Sequence, residues 1–367
     1  MTSASTAVAL GTRPVGGVEA AARVMICDDS AVIRAALTRM LETDPEIRVV
    51  ARVADGKAAL AQVKLLPGGI DVVVLDIEMP VMDGLAALPL LLQADPGLRV
   101  IMASTLTTRG ADIALRALRL GAADYVPKPA TAAIADDSFR RELLAKVRGL
   151  ARMRRRASGA AVVPLVRPRR VLRAAPRLLA IGSSTGGPQA LFTLVQGLGR
   201  NVQLPVVLTQ HMPATFTPIL AEHLTRIGGM PCAEAVDGAV LQPGHIALAP
   251  GNRHLLVEAD GAVLRARLSD GPAENYCRPS VDPMLRSATV ACGGRVLMVM
   301  LTGMGHDGRD ATGALVAAGG AAIAQDEATS VVWGMPGAIA QAGYCDQVLP
   351  LNDIAPRVLD ILKAIRA

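Results

Sequence analysis

Aromatic residues make up only 2 % of this 367-residue chain. Proteins that hold single-stranded nucleic acid stack bases on aromatic rings, so that class of partner is disfavoured. The five cysteines (Cys27, Cys232, Cys277, Cys292, Cys345) form no C-x-x-C pair. An odd, unpatterned set argues for reduced thiols and a cytoplasmic setting. The five histidines include no H-E-x-x-H motif and no Cys/His cluster, which argues against zinc. No apolar run approaches ~18 residues, so no membrane insertion is expected. Residues 1–22 lack a basic start followed by a continuous apolar stretch and are expected to form a flexible extension, not a secretory signal.

What is present is core-forming material. Hydrophobic residues reach 51 %, and the length fits two domains. The formal charge of +6 is unevenly placed. Residues 151–177 hold nine arginines and no acid, so the remainder of the chain is net acidic. The same stretch contains Ser158, Gly159, Pro164, Pro168 and Pro176 and is expected to be a linker between domains at 23–150 and 178–367. A solvated, self-repelling tether explains it more simply than an acidic partner does.

In the first domain, short apolar runs end in polar residues. Residues 23–27 lead to Asp28 and Asp29, 71–75 to Asp76, 99–103 to Ser104, and 123–127 to Lys128. Helical periodicity lies between them, as in the stretch that Ser30 can cap and in 109–120, which Gly121 closes. Alternating buried strands and helices predict a parallel, doubly wound sheet that binds ligands at the carboxyl ends of its strands. Three carboxylates at one edge repel one another unless a hard cation such as Mg²⁺ sits among them. A carboxylate beside that ion can accept a phosphoryl group, whose oxygens the metal, Ser104 and Lys128 would neutralise.

ICDDS, VVVLDIEMP-x-MDG, MAST and DYVPKP, in this order, resemble the receiver domain of two-component response regulators. The resemblance implies a flavodoxin-like, five-stranded domain with Asp76 as phospho-acceptor. It implies Asp29, Asp76 and the Glu78 carbonyl as Mg²⁺ ligands, with Asp28 reaching the ion through water. Ser104 and Lys128 become the switch residues, and the Lys128–Pro129 bond is expected to be cis.

In the second domain, 178–182 lead into Ser183-Ser184-Thr185-Gly186-Gly187, 204–210 into His211, and 296–303 into Met304-Gly305-His306-Asp307-Gly308. If these runs are parallel strands, Ser184, His211 and Asp307 share one sheet edge, as a catalytic triad requires. Gly182-Ser-Ser184-Thr-Gly186 also fits a G-x-S-x-G elbow leading into a helix at 188–198. The chain order Ser…His…Asp is not that of α/β-hydrolases, and no H-G-G-G motif occurs, so a different esterase scaffold is predicted. A phosphate-cradling loop is the rival reading, but it lacks G-K-[ST] and a following ribose-binding acid. His223 is expected on a helix surface, and His245 and His254 beside a hairpin spanning 244–268. His306 is the decoy, because adjacent loop residues seldom aim at one point, and His211 is preferred.

AIGSSTGGP, TQHMPATFT, LAPGNRHLLV, RPSVDPML, MLTGMGHDG and QDEATSVVWGMP resemble the catalytic domain of the chemotaxis protein-glutamate methylesterase/glutaminase (CheB) family. The resemblance implies Ser184 as nucleophile, His211 as base and Asp307 as its orienting carboxylate, with an oxyanion hole near the Thr185 and Met304 amides. It implies a mostly parallel α/β esterase domain that needs no cofactor of its own. Its substrates would be glutamyl methyl esters, and glutamines, on methyl-accepting chemoreceptors, with a histidine kinase as phosphodonor and phosphorylation as activator. Cys277 departs from the family pattern and is expected to be a small packed thiol. A non-catalytic adaptor would not need Ser184, His211 and Asp307 together. A DNA-binding regulator would need a recognition helix and basic surface that the second domain lacks.

Overall fold

The computed structural model describes residues 21–104, 107–128, 137–156 and 174–364. The first sheet is built from β1 (Ala22–Cys27), β2 (Ile47–Val53), β3 (Val72–Asp76), β4 (Arg99–Ser104) and β5 (Asp124–Pro127), ordered β2-β1-β3-β4-β5. All of its pairings are parallel. Helices α1 (Ala31–Leu41), α2 (Gly56–Leu65), α3 (Gly84–Ala94) and α4 (Thr108–Arg119) make the crossovers, and α5 (Asp137–Arg156) follows the last strand. The Ser30 hydroxyl does cap α1, accepting the Ile33 amide. Strand β2 escaped the sequence reading because it is an edge strand, with Arg48 exposed and Arg52 interrupting the apolar pattern.

Two boundaries shift. Strand β1 begins at Ala22, inside the stretch read as an extension. Helix α5 continues to Arg156, past the expected end of the domain at 150. Its arginines have partners: Arg154 lies 2.8 Å from Asp95, and Arg155 lies 3.5 Å from the buried Asp71. Charge placed against fixed carboxylates extends the helix where solvated charge would not. Arg177 likewise donates to the Ala262 carbonyl at 2.7 Å and so belongs to the second domain. Residues 157–173 of the expected linker, most of the expected extension and the Lys128–Pro129 bond lie outside the described residues.

The second sheet has seven parallel strands: β6 (Leu178–Ser183), β7 (Val206–Gln210), β8 (Cys232–Glu234), β9 (Ile246–Leu248), β12 (Val296–Met300), β13 (Ala321–Gln325) and β14 (Gln347–Leu349). Their order is β14-β13-β12-β6-β7-β9-β8. Between β9 and β12 the chain makes an antiparallel hairpin of β10 (His254–Asp260) and β11 (Val263–Ser269), turning at Asp260–Gly261 as expected. The hairpin is shorter than 244–268, because residues 246–248 join the main sheet as β9. Helices α6 (Gly187–Leu198), α7 (Thr217–Gly228), α8 (Val281–Ala291), α9 (Arg309–Ala317), α10 (Met335–Gln341) and α11 (Leu351–Ala364) cover both faces. Every residue of β6, β7 and β12 is buried, which is why these strands read as continuous apolar runs. No helix among the described residues is long and apolar enough to cross a membrane.

The α4–β5–α5 face of the first domain lies on the second. The Tyr125 ring stacks on Phe216 with centroids 4.8 Å apart and planes at 13°. Gly149 of α5 presses so closely on the Val331 carbonyl that no side chain would fit there. The apolar core is continuous across this boundary. His223, expected on a helix surface, is only 1 % exposed, and its Nε2 lies 3.7 Å from Asp112 of α4. The surface of α7 that carries it is covered by the docked domain, which local sequence cannot show.

Candidate functional site

Both sheets place their polar groups where the strand order reverses, which is where doubly wound folds form a crevice. In the first domain this is the gap between β1 and β3. Oxygens of Asp28, Asp29 and Asp76 lie within 4.8 Å of one another. Asp28 and Asp76 are buried, and Asp29 is exposed. The Lys128 Nζ sits 2.6 Å from Asp76 Oδ2 and 3.5 Å from Asp28 Oδ2. Burial raises the Asp76 pKa more than Lys128 lowers it, and Asp28 adds to the rise. This donor set is wholly hard oxygen and fits a divalent cation such as Mg²⁺. Glu78 is exposed, and its amide donates to Asp76 Oδ1 at 3.3 Å. Ser104 ends β4 as expected, with its hydroxyl turned to the Gly110 carbonyl at 2.8 Å.

In the second domain the crevice lies between β6 and β12. The chain leaves β6 through Ser184 and enters α6 at Gly186, whose φ of +73° strains any other residue. Ser184 is left half-exposed at the rim. A Cβ on Gly303 would lie 2.9 Å from the Ser184 Cβ, so the loop after β12 closes on the serine only because residue 303 is glycine. His211 follows β7, the neighbouring strand, and its Nε2 lies 2.7 Å from Asp307 Oδ2. The Asp307 side chain is 2 % exposed. His306 is exposed at the rim of the same cavity, and Asp307 is bonded to the His211 ring.

Asp307 is heavily bonded. It accepts from the amides of Val281 at 2.6 Å and Asp282 at 3.1 Å, from Ser280 Oγ at 2.7 Å and from Asn275 Nδ2 at 3.0 Å. The two amides belong to the first turn of α8, whose N-cap Ser280 makes no cap bond of its own. Asp307 therefore caps α8 from another element, and the helix dipole favours its charge. Burial alone would raise its pKa, but His211 and these donors reverse that and hold the carboxyl well below the usual range. At His211, burial opposes the charge, yet Asp307 and the adjacent Cys277 thiol outweigh it and lift the pKa to about 10. Cys277, expected to be a small packed thiol, is half-buried and lies against the imidazole.

Ser184, Thr185, His211, Cys277, Met304 and Asp307 line one cavity of about 440 Å³. Among the described residues no hydrogen bond joins the Ser184 hydroxyl to the ring, and the amides of Thr185 and Met304 donate to no protein acceptor. With Nε2 engaged by Asp307, Nδ1 is the nitrogen left to take a proton. A hydroxyl, a braced imidazole and two unpaired amides around one cavity are equipped for acyl transfer.

Two family descriptions match the chain: CheB methylesterase over residues 179–358 and response regulator receiver domain over residues 24–136. The chain is 52 % identical over 371 residues to a protein-glutamate methylesterase/protein-glutamine glutaminase of Rhodospirillum centenum, covering 92 % of this chain and 93 % of that one. The chain belongs to the CheB methylesterase family. A second relative of the same description, from Paramagnetospirillum magneticum, is 51 % identical and covers 92 % of this chain and 96 % of its own. The crystal structure of the Thermotoga maritima CheB methylesterase catalytic domain matches with a TM-score of 0.50 at 36 % identity, covering 51 % of this chain and 100 % of that one.

In this CheB protein, sequence reading missed the residues that brace the site. The Gln210 Nε2 donates to the carbonyls of Ser184 at 2.9 Å and His211 at 3.0 Å, while its Oε1 accepts the Ser183 hydroxyl at 2.6 Å. One amide thus ties the two strand ends together. His254 is buried, and its Nδ1 accepts the Ser280 amide at 3.2 Å, steadying the residue that bonds Asp307. A polar residue ending a buried apolar strand, as Gln210 does, was the available signal. Asn275 and His254 carried none.

Proposed function

We propose that this protein is a phosphorylation-gated hydrolase of glutamate 5-methyl esters, and of glutamine amides, on cytoplasmic segments of methyl-accepting chemoreceptors. His211 takes the Ser184 proton through Nδ1 as the hydroxyl attacks the γ-carbonyl. The developing oxyanion meets the Thr185 and Met304 amides. Methanol or ammonia leaves with the proton from His211, and water, activated by the same ring, releases glutamate from the acyl-enzyme. Asp307 fixes the tautomer and stabilises the imidazolium. The observation that carries this reading is the 2.7 Å contact between His211 and Asp307 on the cavity that Ser184 lines.

The receiver supplies the gate. Asp76 is the phospho-acceptor, and the kinase of the chemotaxis system is the donor. Asp28, Asp29, Asp76 and the Glu78 carbonyl would hold Mg²⁺, which neutralises phosphoryl oxygens when bound. Lys128 pairs with the phosphoryl group, and Ser104 turns from Gly110 towards it. Two features of the docked arrangement support inhibition at rest. Tyr125, Arg141, Glu142 and Lys146 of the receiver wall the catalytic cavity. In addition, Asp124 accepts the Gly186 amide at 3.0 Å at the start of α6, placing a carboxylate beside the proposed oxyanion site. Its counter-ion is the buried Lys146, 3.2 Å away, which also lies 2.8 Å from Glu142.

The test is methanol release from methylated receptor membranes, with and without acetyl phosphate. Release that requires Ser184 and rises with acetyl phosphate supports the proposal. Release that persists in Ser184→Ala would falsify the nucleophile assignment.

A further inference from the structure

Residues 274–277 make a tight two-residue turn. The Glu274 amide donates to the Cys277 carbonyl at 3.1 Å, and the Cys277 amide donates back at 2.9 Å. Both central residues have positive φ, +52° at Asn275 and +63° at Tyr276, as in type I′ turns. Asparagine tolerates this conformation. A bulky aromatic does not, and glycine is the residue such a turn favours at its second central position. Yet Tyr276 stands there with its side chain wholly in solvent, at 101 % of its reference exposure. The other six aromatic residues of the chain are buried or half-buried. A strained conformation kept for a side chain that packs on none of the described residues points to a role outside the fold.

The surroundings say what that role is. Asn275 anchors the turn to the catalytic centre, donating to Asp307 at 3.0 Å and to Asp282 at 2.8 Å. Cys277 lies against the His211 ring. Glu274 is tied to Arg286 at 2.6 Å. The backbone that carries Tyr276 is therefore fixed relative to the reacting atoms, and its ring stands exposed at the mouth of the cavity that Ser184 lines. Rigid, amphipathic tyrosines of this kind anchor protein partners with little ordering cost.

We infer that Tyr276 is a substrate-binding residue that lays its ring on the polypeptide flanking the glutamyl ester, the neighbours at i±3 and i±4 if that segment is helical. It sets affinity for the protein substrate and leaves the acyl chemistry alone. This rests on the methylesterase reading above, and the experiment separates the two. Full-length wild type, Tyr276→Gly, Tyr276→Ala and Tyr276→Phe are assayed on methylated receptor membranes and on p-nitrophenyl acetate, with thermal melting alongside.

In Tyr276→Gly and Tyr276→Ala the KM for receptor rises about tenfold, typical for losing an aromatic anchor, with kcat preserved. Tyr276→Phe keeps the wild-type KM within a few fold. Tyr276→Gly melts no lower than wild type, because glycine suits positive φ. Hydrolysis of p-nitrophenyl acetate holds in all three variants. An unchanged receptor KM in both truncations overturns the inference, as does a parallel loss on the small ester, which would assign the turn to support of the triad. Failure of wild type to hydrolyse either ester through Ser184 would instead overturn the methylesterase reading.

Discussion

The two sheets solve the same geometric problem with opposite electrostatics. Each places carboxylate at the strand ends where its order reverses, three side chains beside β1 and β3 in the receiver and Asp307 after β12 in the catalytic domain. In the receiver, Asp28 and Asp76 lie buried side by side with Lys128 between them, and burial lifts the Asp76 pKa. In the catalytic domain, Asp307 receives two amides, a hydroxyl, a side-chain amide and an imidazole, and its pKa falls. The difference separates a switch from a catalyst. Carboxylates crowded together respond strongly to an added cation or phosphoryl group. A carboxylate whose lone pairs are filled cannot respond, and so holds its histidine in one place.

Four measurements would sharpen or break that contrast. The largest effect belongs to Ser184→Ala, which should lose roughly 10⁶-fold in methanol release, about 8 kcal/mol of transition-state stabilisation, whether or not acetyl phosphate is present. Its melting temperature should stay near wild type, since the hydroxyl makes no hydrogen bond among the described residues.

Next comes Asp307→Asn, with a fall of roughly 10⁴-fold in kcat. The new amide also sets its own N–H groups against the α8 donors, at a stability cost of about 1–3 kcal/mol. The pH profile carries the sign. His211 must be neutral to act as base, and Asp307 helps raise its pKa to about 10. The rising limb of kcat/KM in wild type therefore lies alkaline of the ordinary histidine value, and Asp307→Asn should move it towards acid. A limb that stays put would detach Asp307 from the imidazole.

Asp76→Asn should keep the unstimulated rate and lose the response to acetyl phosphate, a coupling of about 1–3 kcal/mol or 5–150-fold. The smallest effect is expected at the boundary between domains. Tyr125→Leu removes the stack on Phe216, worth about 0.5–1.5 kcal/mol. It should raise the unstimulated rate roughly two- to tenfold by loosening the receiver. An unstimulated rate at or below the wild-type value would show that docking at this face does not restrain the enzyme.

Much of the site was legible before the structure because strand ends announce themselves. Continuous apolar runs finishing at Asp76, Ser184, His211 or the loop before Asp307 place those residues at a sheet edge, whatever the details of packing. His306 and Asp307 diverge as neighbours in a loop do, Asp307 buried against His211 and His306 exposed at the cavity rim. What escaped was contact between distant segments. Arg154 and Arg155 read as solvated linker charge until Asp71 and Asp95 appear beside them. Cys277 read as packing until the turn at 274–277 brings it to His211.

The chain by itself determined the period of its apolar residues, and with it two parallel sheets and the reactive groups on their rims. Burial of one strand depends on its own residues, so local pattern suffices. The tertiary structure alone decided which carboxylate meets the imidazole and through which nitrogen, that Gln210 braces two strand ends, and that the receiver covers His223 and walls the cavity. Those outcomes depend on approaches of a few ångströms between segments far apart in the chain. Hydrogen bonds and ion pairs are short-ranged and directional, so no pattern within a single segment encodes them.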